Sequence, residues 1–327
     1  MKYAIIGADG QIGSLLAKAL VAEGKQVVMI GRQWNDKPLT GADYRIADAM
    51  SPSSLNKALA GCDVVYSVLG LPYSTVLWQK MWVPMTQNVL TAAVARDCRL
   101  IYLDNVYSYG LARGAMTEST PYQPISKKGI VRADAATMLS AAMQNEKAKV
   151  IIARSADFLG PGAANSIIGS RFFKGVVHSE APVRHAEWLG DPHTKHCYGY
   201  TLDIVQALTL LGEVPASSYN QTWHLPTTGP ITGYEWSSIL GKQAHCTIKL
   251  RSIHGLTMKL AAWFSPAARE QAEMQYQVEN DYLFSDEKFM RAFPRFRKTA
   301  TEEIAKQSLA YFAGLLGGDK SGGGTKK

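Results

Sequence analysis

The first residues able to do chemistry are Gly7-Ala8-Asp9-Gly10-Gln11-Ile12-Gly13, directly after the apolar run Tyr3-Ala4-Ile5-Ile6. Gly7 allows a tight turn, and Gly10 lets the backbone approach a pyrophosphate. Gly13 lets a following helix lie close on a sheet. The free N–H groups where that helix begins, around Gln11 and Ile12, can face the phosphates. An amphipathic stretch does follow, with Ile12, Leu15, Leu16, Ala19 and Leu20 on one helical face. Strand, glycine turn and helix are the context a dinucleotide site requires, although the spacing is G-x-x-G-x-x-G rather than G-x-G-x-x-G.

The next apolar run, Gln26-Val27-Val28-Met29-Ile30, reads as a second parallel strand bounded by Gly24 and Gly31. It ends in Gly31-Arg32, where an acid that accepts from a ribose 2′-OH would mark NAD. An arginine pairs with a 2′-phosphate and an acid repels it, so NADP(H) is favoured over NAD(H). Lys37 could add to that charge. The alternative for Arg32 is a solvated surface arginine.

These residues need a frame. At 327 residues, 46% hydrophobic and 19% charged, the chain has the size and composition of one large or two smaller globular units. No apolar run is long enough for a membrane helix, and the N-terminus enters a core strand without the pattern of a signal peptide. The expected location is cytoplasmic, with no membrane partner. Cys62, Cys98, Cys197 and Cys246 are far apart, which argues against structural zinc and a disulfide framework. The net charge of +8 is spread out, and only Arg291, Arg295, Arg297 and Lys298 cluster. No nucleic-acid motif accompanies them, so a solvated basic face is expected and nucleic acid is not.

Along residues 1–155 strand and helix patterns alternate. Strands are expected at Tyr44–Ala47, ending at Asp48, at Asp63–Leu69, ending at Gly70, at Leu100–Leu103 and at Lys149–Arg154. Helices are expected at Ser51–Ala60, Thr75–Arg96 and about Lys128–Asn145. Repeated β-α units imply an α/β, Rossmann-type, doubly wound parallel sheet with ligands at the carboxyl ends of its strands. Gly7, Arg32, Asp48, Leu69, Gly70 and Asp104 fall at or beside such ends. Beyond 155 the alternation weakens and prolines punctuate shorter elements. Helices are plausible near 203–212, 232–241, 255–275 and 300–316. Residues 156–316 are expected to form a smaller C-terminal substrate-binding lobe that returns one or two strands to the sheet. The tail 317–327, with five glycines among eleven residues, is expected to be disordered.

Taken in order, these features resemble the extended or atypical short-chain dehydrogenase/reductase superfamily, in its NAD(P)-dependent epimerase/dehydratase-like branch, over about residues 1–315. Gly7, Gly10 and Gly13 match its fingerprint, and Asp48 matches the acid that often contacts adenine. Val106-Tyr107 resembles its V-Y-G segment. Arg154 to Gly160-Pro161-Gly162 resembles its R-x-x-x-x-x-G-P-G stretch. Gly190-Asp191 through Tyr200-Thr201-Leu202-Asp203 resembles its G-D-x…Y-V-x-D segment. The resemblance implies a small-molecule substrate, and a homodimer through the helices near 75–95 and 128–145.

The family acts through Tyr-x-x-x-Lys, where the tyrosine exchanges the proton and the lysine holds the nicotinamide ribose. Here Lys128 stands in the tyrosine place and Arg132 in the lysine place, one helical turn apart. Leu103 replaces the usual serine or threonine, and Asp104 aligns with an acid of sugar dehydratases. On the functional reading Arg132 fixes the cofactor ribose, while Lys128, Asp104 or Tyr107 handles protons. A lysine does so only where burial or a nearby cation such as Arg132 lowers its pKa. On the plain reading Lys128 and Arg132 are ordinary charged residues opening a helix. Tyr122 is an alternative donor, though Ser126 lies four residues on.

Weaker signals remain. His193 and His196 read as hydrogen-bonded loop residues more readily than as catalytic ones, and no third ligand suits a metal. His196 stands near where nucleotide-sugar enzymes often carry an arginine. Trp78, Met81, Trp82 and Met85 have core spacing. Trp188, Phe172 and Phe173 could line a substrate pocket. The leading expectation is an NADP(H)-dependent oxidoreductase acting on a small carbonyl or activated alkene. The alternatives are an NAD(P)-dependent sugar epimerase or dehydratase, and a non-catalytic NADP(H)-sensing regulator.

Overall fold

The computed structural model describes residues 1–33, 39–144 and 148–317. Lys37, Asn145 and the tail beyond Gly317 lie outside the described residues.

The first half alternates as expected. Its strands are β1 (Lys2–Ile6), β2 (Gln26–Gly31), β3 (Ala42–Ile46), β4 (Val64–Ser67), β5 (Arg99–Asp104) and β6 (Val150–Arg154). Its helices are α1 (Gln11–Ala22), α2 (Pro52–Ala58), α3 (Thr75–Ala95) and α4 (Lys127–Met143). The second half contributes the strands β7 (Asp157–Leu159), β8 (Val183–Leu189), β9 (Lys195–Tyr200), β10 (Gln221–His224), β11 (Pro230–Thr232) and β12 (Thr247–Ile253). Its helices are α5 (Ser170–Val177), α6 (Thr201–Glu213), α7 (Gly233–Gln243), α8 (Gly255–Phe264), α9 (Pro266–Ala272), α10 (Glu287–Ala292) and α11 (Thr301–Gly317).

Seven strands form one sheet in the order β10-β6-β5-β4-β1-β2-β3. All its pairings are parallel. Strands such as Val64–Ser67 and Val150–Arg154 are buried at every position, as a sheet covered on both faces requires. One core holds α1 and α6 residues such as Leu16, Leu20, Ile204 and Leu208. The other holds α2, α3 and α4 residues such as Leu55, Val89 and Leu139. Burying each such aliphatic side chain contributes about 1.5–3 kcal/mol. The strand order reverses between β1 and β4, which opens a crevice at their carboxyl ends. Ser51, Ser74 and Ser126 cap α2, α3 and α4 by accepting from a backbone N–H three residues on.

Among the described residues beyond Arg154, only β10 returns to the main sheet. Strands β11, β9 and β7 form a second sheet, and β12 pairs with β8. A separate apolar cluster lies beneath them, including Phe172, Phe173, Trp188, Trp236 and Phe312. The single helix expected at 255–275 is instead α8 and α9. The break falls at Ser265-Pro266, where the serine caps a helix whose first residue is the proline. The third strand begins two residues earlier than expected. It is an edge strand, half exposed along its length, so its apolar pattern is weak. Among the described residues no helix is long and apolar enough to cross a membrane.

Candidate functional site

The glycine turn sits where β1 meets α1. Gly7 has φ +87°, a conformation that favours glycine. A Cβ on Gly13 would stand 2.2 Å from the Gly7 carbonyl oxygen, so α1 can cross the turn this closely only with glycine there. Gly10 is the exposed N-cap of α1 and supplies no side chain to its first N–H groups. Those donors remain for an anion. Ile12 is buried in the core and Gln11 is half-buried, so Ile12 can offer the turn its backbone rather than its side chain.

Four other residues surround the crevice at strand ends. Arg32 follows β2 and is exposed, and Asp48 is exposed beyond β3. One Asp48 carboxylate oxygen accepts from the Met50 N–H at 2.9 Å. Leu69 packs on the core, and Gly70 has open space where a side chain would be.

The end of β5 carries a buried charge cluster. Asp104 accepts from Arg132 at Oδ1, through Nε at 2.9 Å and through Nη2. It accepts from Arg154 at Oδ2, through Nη2 at 2.8 Å. Burial pushes its pKa up, but the two guanidiniums outweigh burial and hold it below the usual carboxylate range. Both carboxylate oxygens of Asp104 are thus engaged by buried arginines. Arg132 also lies 4.1 Å from the centre of the Trp82 ring. Its Nη1 makes no hydrogen bond among the described residues.

Lys128 and Arg132 share the buried face of α4, and their charged ends bond to different partners. The Lys128 ammonium donates to Thr75 Oγ1 at 2.9 Å, to Glu273 Oε2 at 3.0 Å and to Glu270 Oε2. The Lys128 backbone N–H donates to Glu273 Oε1 at 2.9 Å, and the Thr75 N–H to Glu270 at 2.9 Å. The end of α9 thus joins the first turns of α3 and α4. Burial raises the pKa of both glutamates, and hydrogen bonds from Lys128 and Thr75 outweigh it and lower them. Lys128 is met by two carboxylates.

Tyr107 begins a short 3-10 turn after β5, and its hydroxyl is 3.5 Å from that of Tyr73. Its ring stacks on Trp78 at 6.0 Å. Burial, then the neighbouring Tyr73 and Asp157, push its pKa well up, so the phenol stays protonated at neutral pH. The Tyr73 ring in turn faces the Lys128 ammonium at 4.5 Å. Tyr107, Tyr73 and Lys128 therefore form one group beside the strand ends.

Other residues fall elsewhere. Tyr122 accepts from Arg154. Phe172, Phe173 and Trp188 are core, which corrects their expected place on a pocket wall. Trp78, Trp82 and Met85 are buried as their spacing predicted. His193 is exposed against Tyr234. His196 is buried and pairs with Asp157 at 2.9 Å. Sequence reasoning missed Tyr73, Thr75, Asp157, Glu270 and Glu273. The glutamates are three residues apart on one helix face, a pattern shared with any solvated helix.

The fold and the glycine turn define an NAD(P)-binding Rossmann protein. Residues 3–224 match the model of the NAD dependent epimerase/dehydratase family, and the chain belongs to that family of enzymes. A curated relative, dTDP-6-deoxy-L-talose 4-dehydrogenase (NAD(P)(+)) of Kitasatospora kifunensis, is 24% identical over 51% of this chain and 56% of its own length. The chain thus spans just over half of that relative. MoeE5, solved with UDP-glucuronic acid and NAD, superposes with TM-score 0.76 at 19% identity, covering 97% of this chain and 100% of its own. UDP-glucuronic acid 4-epimerase from Bacillus cereus gives 0.76 at 18%, covering 96% and 100%. dTDP-glucose 4,6-dehydratase from Bacillus anthracis gives 0.75 at 14%, covering 95% and 96%. These three likenesses establish the fold.

Proposed function

We propose that the chain is an NAD(P)-dependent sugar epimerase or dehydratase-like enzyme acting on a nucleotide sugar. The family match supports this reading over an oxidoreductase for small carbonyls or activated alkenes. The residues fit the cofactor: the glycine cradle leaves no room for side chains at Gly7 and Gly13, and the first N–H groups of α1 are uncapped. Bound NAD(P) would supply reversible hydride exchange. Gly7, Gly10, Gln11, Ile12 and Gly13 would hold the pyrophosphate, Asp48 the adenine, and Leu69 and Gly70 the crevice wall. Arg32 would pair with a 2′-phosphate and favour NADP(H). Arg132 would donate its remaining Nη1 to the ribose.

The observation that carries the catalytic part is the group formed by Tyr107, Tyr73 and Lys128. Both Asp104 oxygens accept from buried arginines, which favours Tyr107 or Lys128 as the group that exchanges a proton with the substrate oxygen. The Tyr107 hydroxyl, 3.5 Å from that of Tyr73, would return a proton to the substrate oxygen when a keto form is reduced; accepting the proton of the sugar hydroxyl at the oxidation step would require its phenolate.

The test incubates the purified protein and NAD⁺ or NADP⁺ with UDP-glucose, UDP-glucuronic acid and dTDP-glucose, and follows products by proton NMR. An epimer or a 4-keto sugar without net cofactor consumption is expected. Net NADPH consumption with a carbonyl or enone panel alone would favour the simple oxidoreductase. Cofactor binding with no turnover of either set would favour the regulator.

A further inference from the structure

One apolar surface has no place in that mechanism. Helix α8 exposes Leu260, Trp263 and Phe264 by 53%, 81% and 87%. They stand at i, i+3 and i+4, so they share one face of the helix. Met258, on the opposite side, is buried. The base of α8 is pinned. The Gly255 N–H donates to Glu279 Oε1 at 2.6 Å, and Gln275 Nε2 donates to the Gly255 carbonyl at 3.3 Å. At the other end Ser265-Pro266 starts α9, which Glu270 and Glu273 fasten to Lys128. Two aromatic rings are therefore held outward at the last turn of a helix that is fixed on both flanks.

The extent of this tip and the charge near it decide what would cover it. Its three side chains present roughly 400 Å² of apolar surface, about half of what one partner gives to a stable protein interface. A second copy of the chain is thus poorly served by it. Strand β12 runs directly into α8, and its Arg251 lines a groove of about 700 Å³ with Arg171, Lys174, His178, His185 and Glu187. Arg171 pairs with Glu187 at 3.1 Å, while Lys174 and Arg251 form no ion pair among the described residues. The chain as a whole carries +8. Aromatic side chains that enter a headgroup layer, together with lysine and arginine that attract anionic lipid, are the two parts of an interfacial anchor. Such a contact needs no helix long enough to span a bilayer, and none occurs among the described residues.

We propose that Leu260, Trp263 and Phe264 seat the protein on the headgroup layer of an anionic membrane, with Lys174 and Arg251 supplying the electrostatic attraction. The contact does not depend on which substrate the enzyme takes.

Sedimentation of the full chain with sucrose-loaded vesicles tests this. Vesicles of phosphatidylcholine with about 30% phosphatidylglycerol should bind wild type at least about tenfold more strongly than phosphatidylcholine alone, and about 1 M NaCl should remove most of that gain. Trp263→Ser combined with Phe264→Ser should weaken binding at least about tenfold, with circular dichroism and cofactor binding as in wild type. Lys174→Ala combined with Arg251→Ala should flatten the salt dependence. Failure of wild type to bind the anionic vesicles overturns the proposal, as does undiminished binding by the Trp263 and Phe264 variant or an unchanged salt dependence in the Lys174 and Arg251 variant. Sedimentation equilibrium without lipid separates the remaining occupant. Wild type and the Trp263 and Phe264 variant should have the same mass, and a smaller mass for the variant would show that a second copy covers the tip, which overturns the membrane reading.

Discussion

Arg132 Nε donates to Asp104 Oδ1 at 2.9 Å, tying the first turns of α4 to the end of β5 through a buried ion pair. The second carboxylate oxygen binds Arg154, so one anion holds two guanidiniums that are nearly inaccessible to water. Removing it leaves two unpaired buried charges, far costlier than losing an exposed pair. Asp104→Asn should therefore destabilise the protein by about 3–5 kcal/mol in urea unfolding. The folded pKa lies below the unfolded value of about 3.9, so the contribution is complete above that pH and is lost as pH falls through the folded pKa. The variant should lose this acid-dependent part. An unchanged unfolding midpoint would show that the cluster is not structural.

His224 gives a pH signature of its own. Its Nδ1 lies 2.9 Å from the Ser285 carbonyl and its Nε2 2.7 Å from the Tyr109 hydroxyl, so Nδ1 donates and Nε2 accepts. Burial, then the Arg154 charge, push its pKa down to about 3. The unfolded chain therefore binds a proton that the folded chain does not between about pH 6.5 and 3. Stability present above pH 6.5 should decline across that window. His224→Gln should flatten the decline, and NMR should show a neutral imidazole at pH 5. An imidazole that titrates near 6.5 in the folded protein would contradict this.

The Lys128 cluster predicts a local effect. Lys128→Met leaves Glu270 and Glu273 without their cation and frees the end of α9 from α3 and α4. Hydrogen exchange in 266–277 should quicken by about tenfold or more, because local opening no longer breaks these bonds. Unchanged exchange would mean that packing alone holds α9.

Proton transfer can be divided between two residues. Tyr107→Phe should lower turnover by about 10²–10⁴ with cofactor affinity unchanged if the phenol serves the substrate oxygen. A fully active Tyr107→Phe would move the role to Lys128.

The cofactor groove makes two claims. Gly10→Val adds a side chain where a pyrophosphate must approach, and should abolish binding by fluorescence while circular dichroism stays native. Arg32→Asp should weaken NADPH by about 1.5–3 kcal/mol and NADH far less. A wild type that already prefers NADH would refute the role given to Arg32.

The amino-acid sequence by itself determined the alternation of the first half and the glycine turn. These rest on relations between near neighbours: apolar period and φ at glycine. It determined less beyond residue 155, where strands are short and β3-like edge patterns lose their alternation. It placed Lys128 and Arg132 on one helix face but not their partners. Asp104 meets Arg154 across a strand pairing, Glu270 and Glu273 reach Lys128 from about 140 residues away, and Asp157 finds His196 on the strand paired with its own. Only the tertiary structure decided these pairs. A charge at a given position looks the same in the chain whether water or a distant ion surrounds it, and burial alone makes the difference.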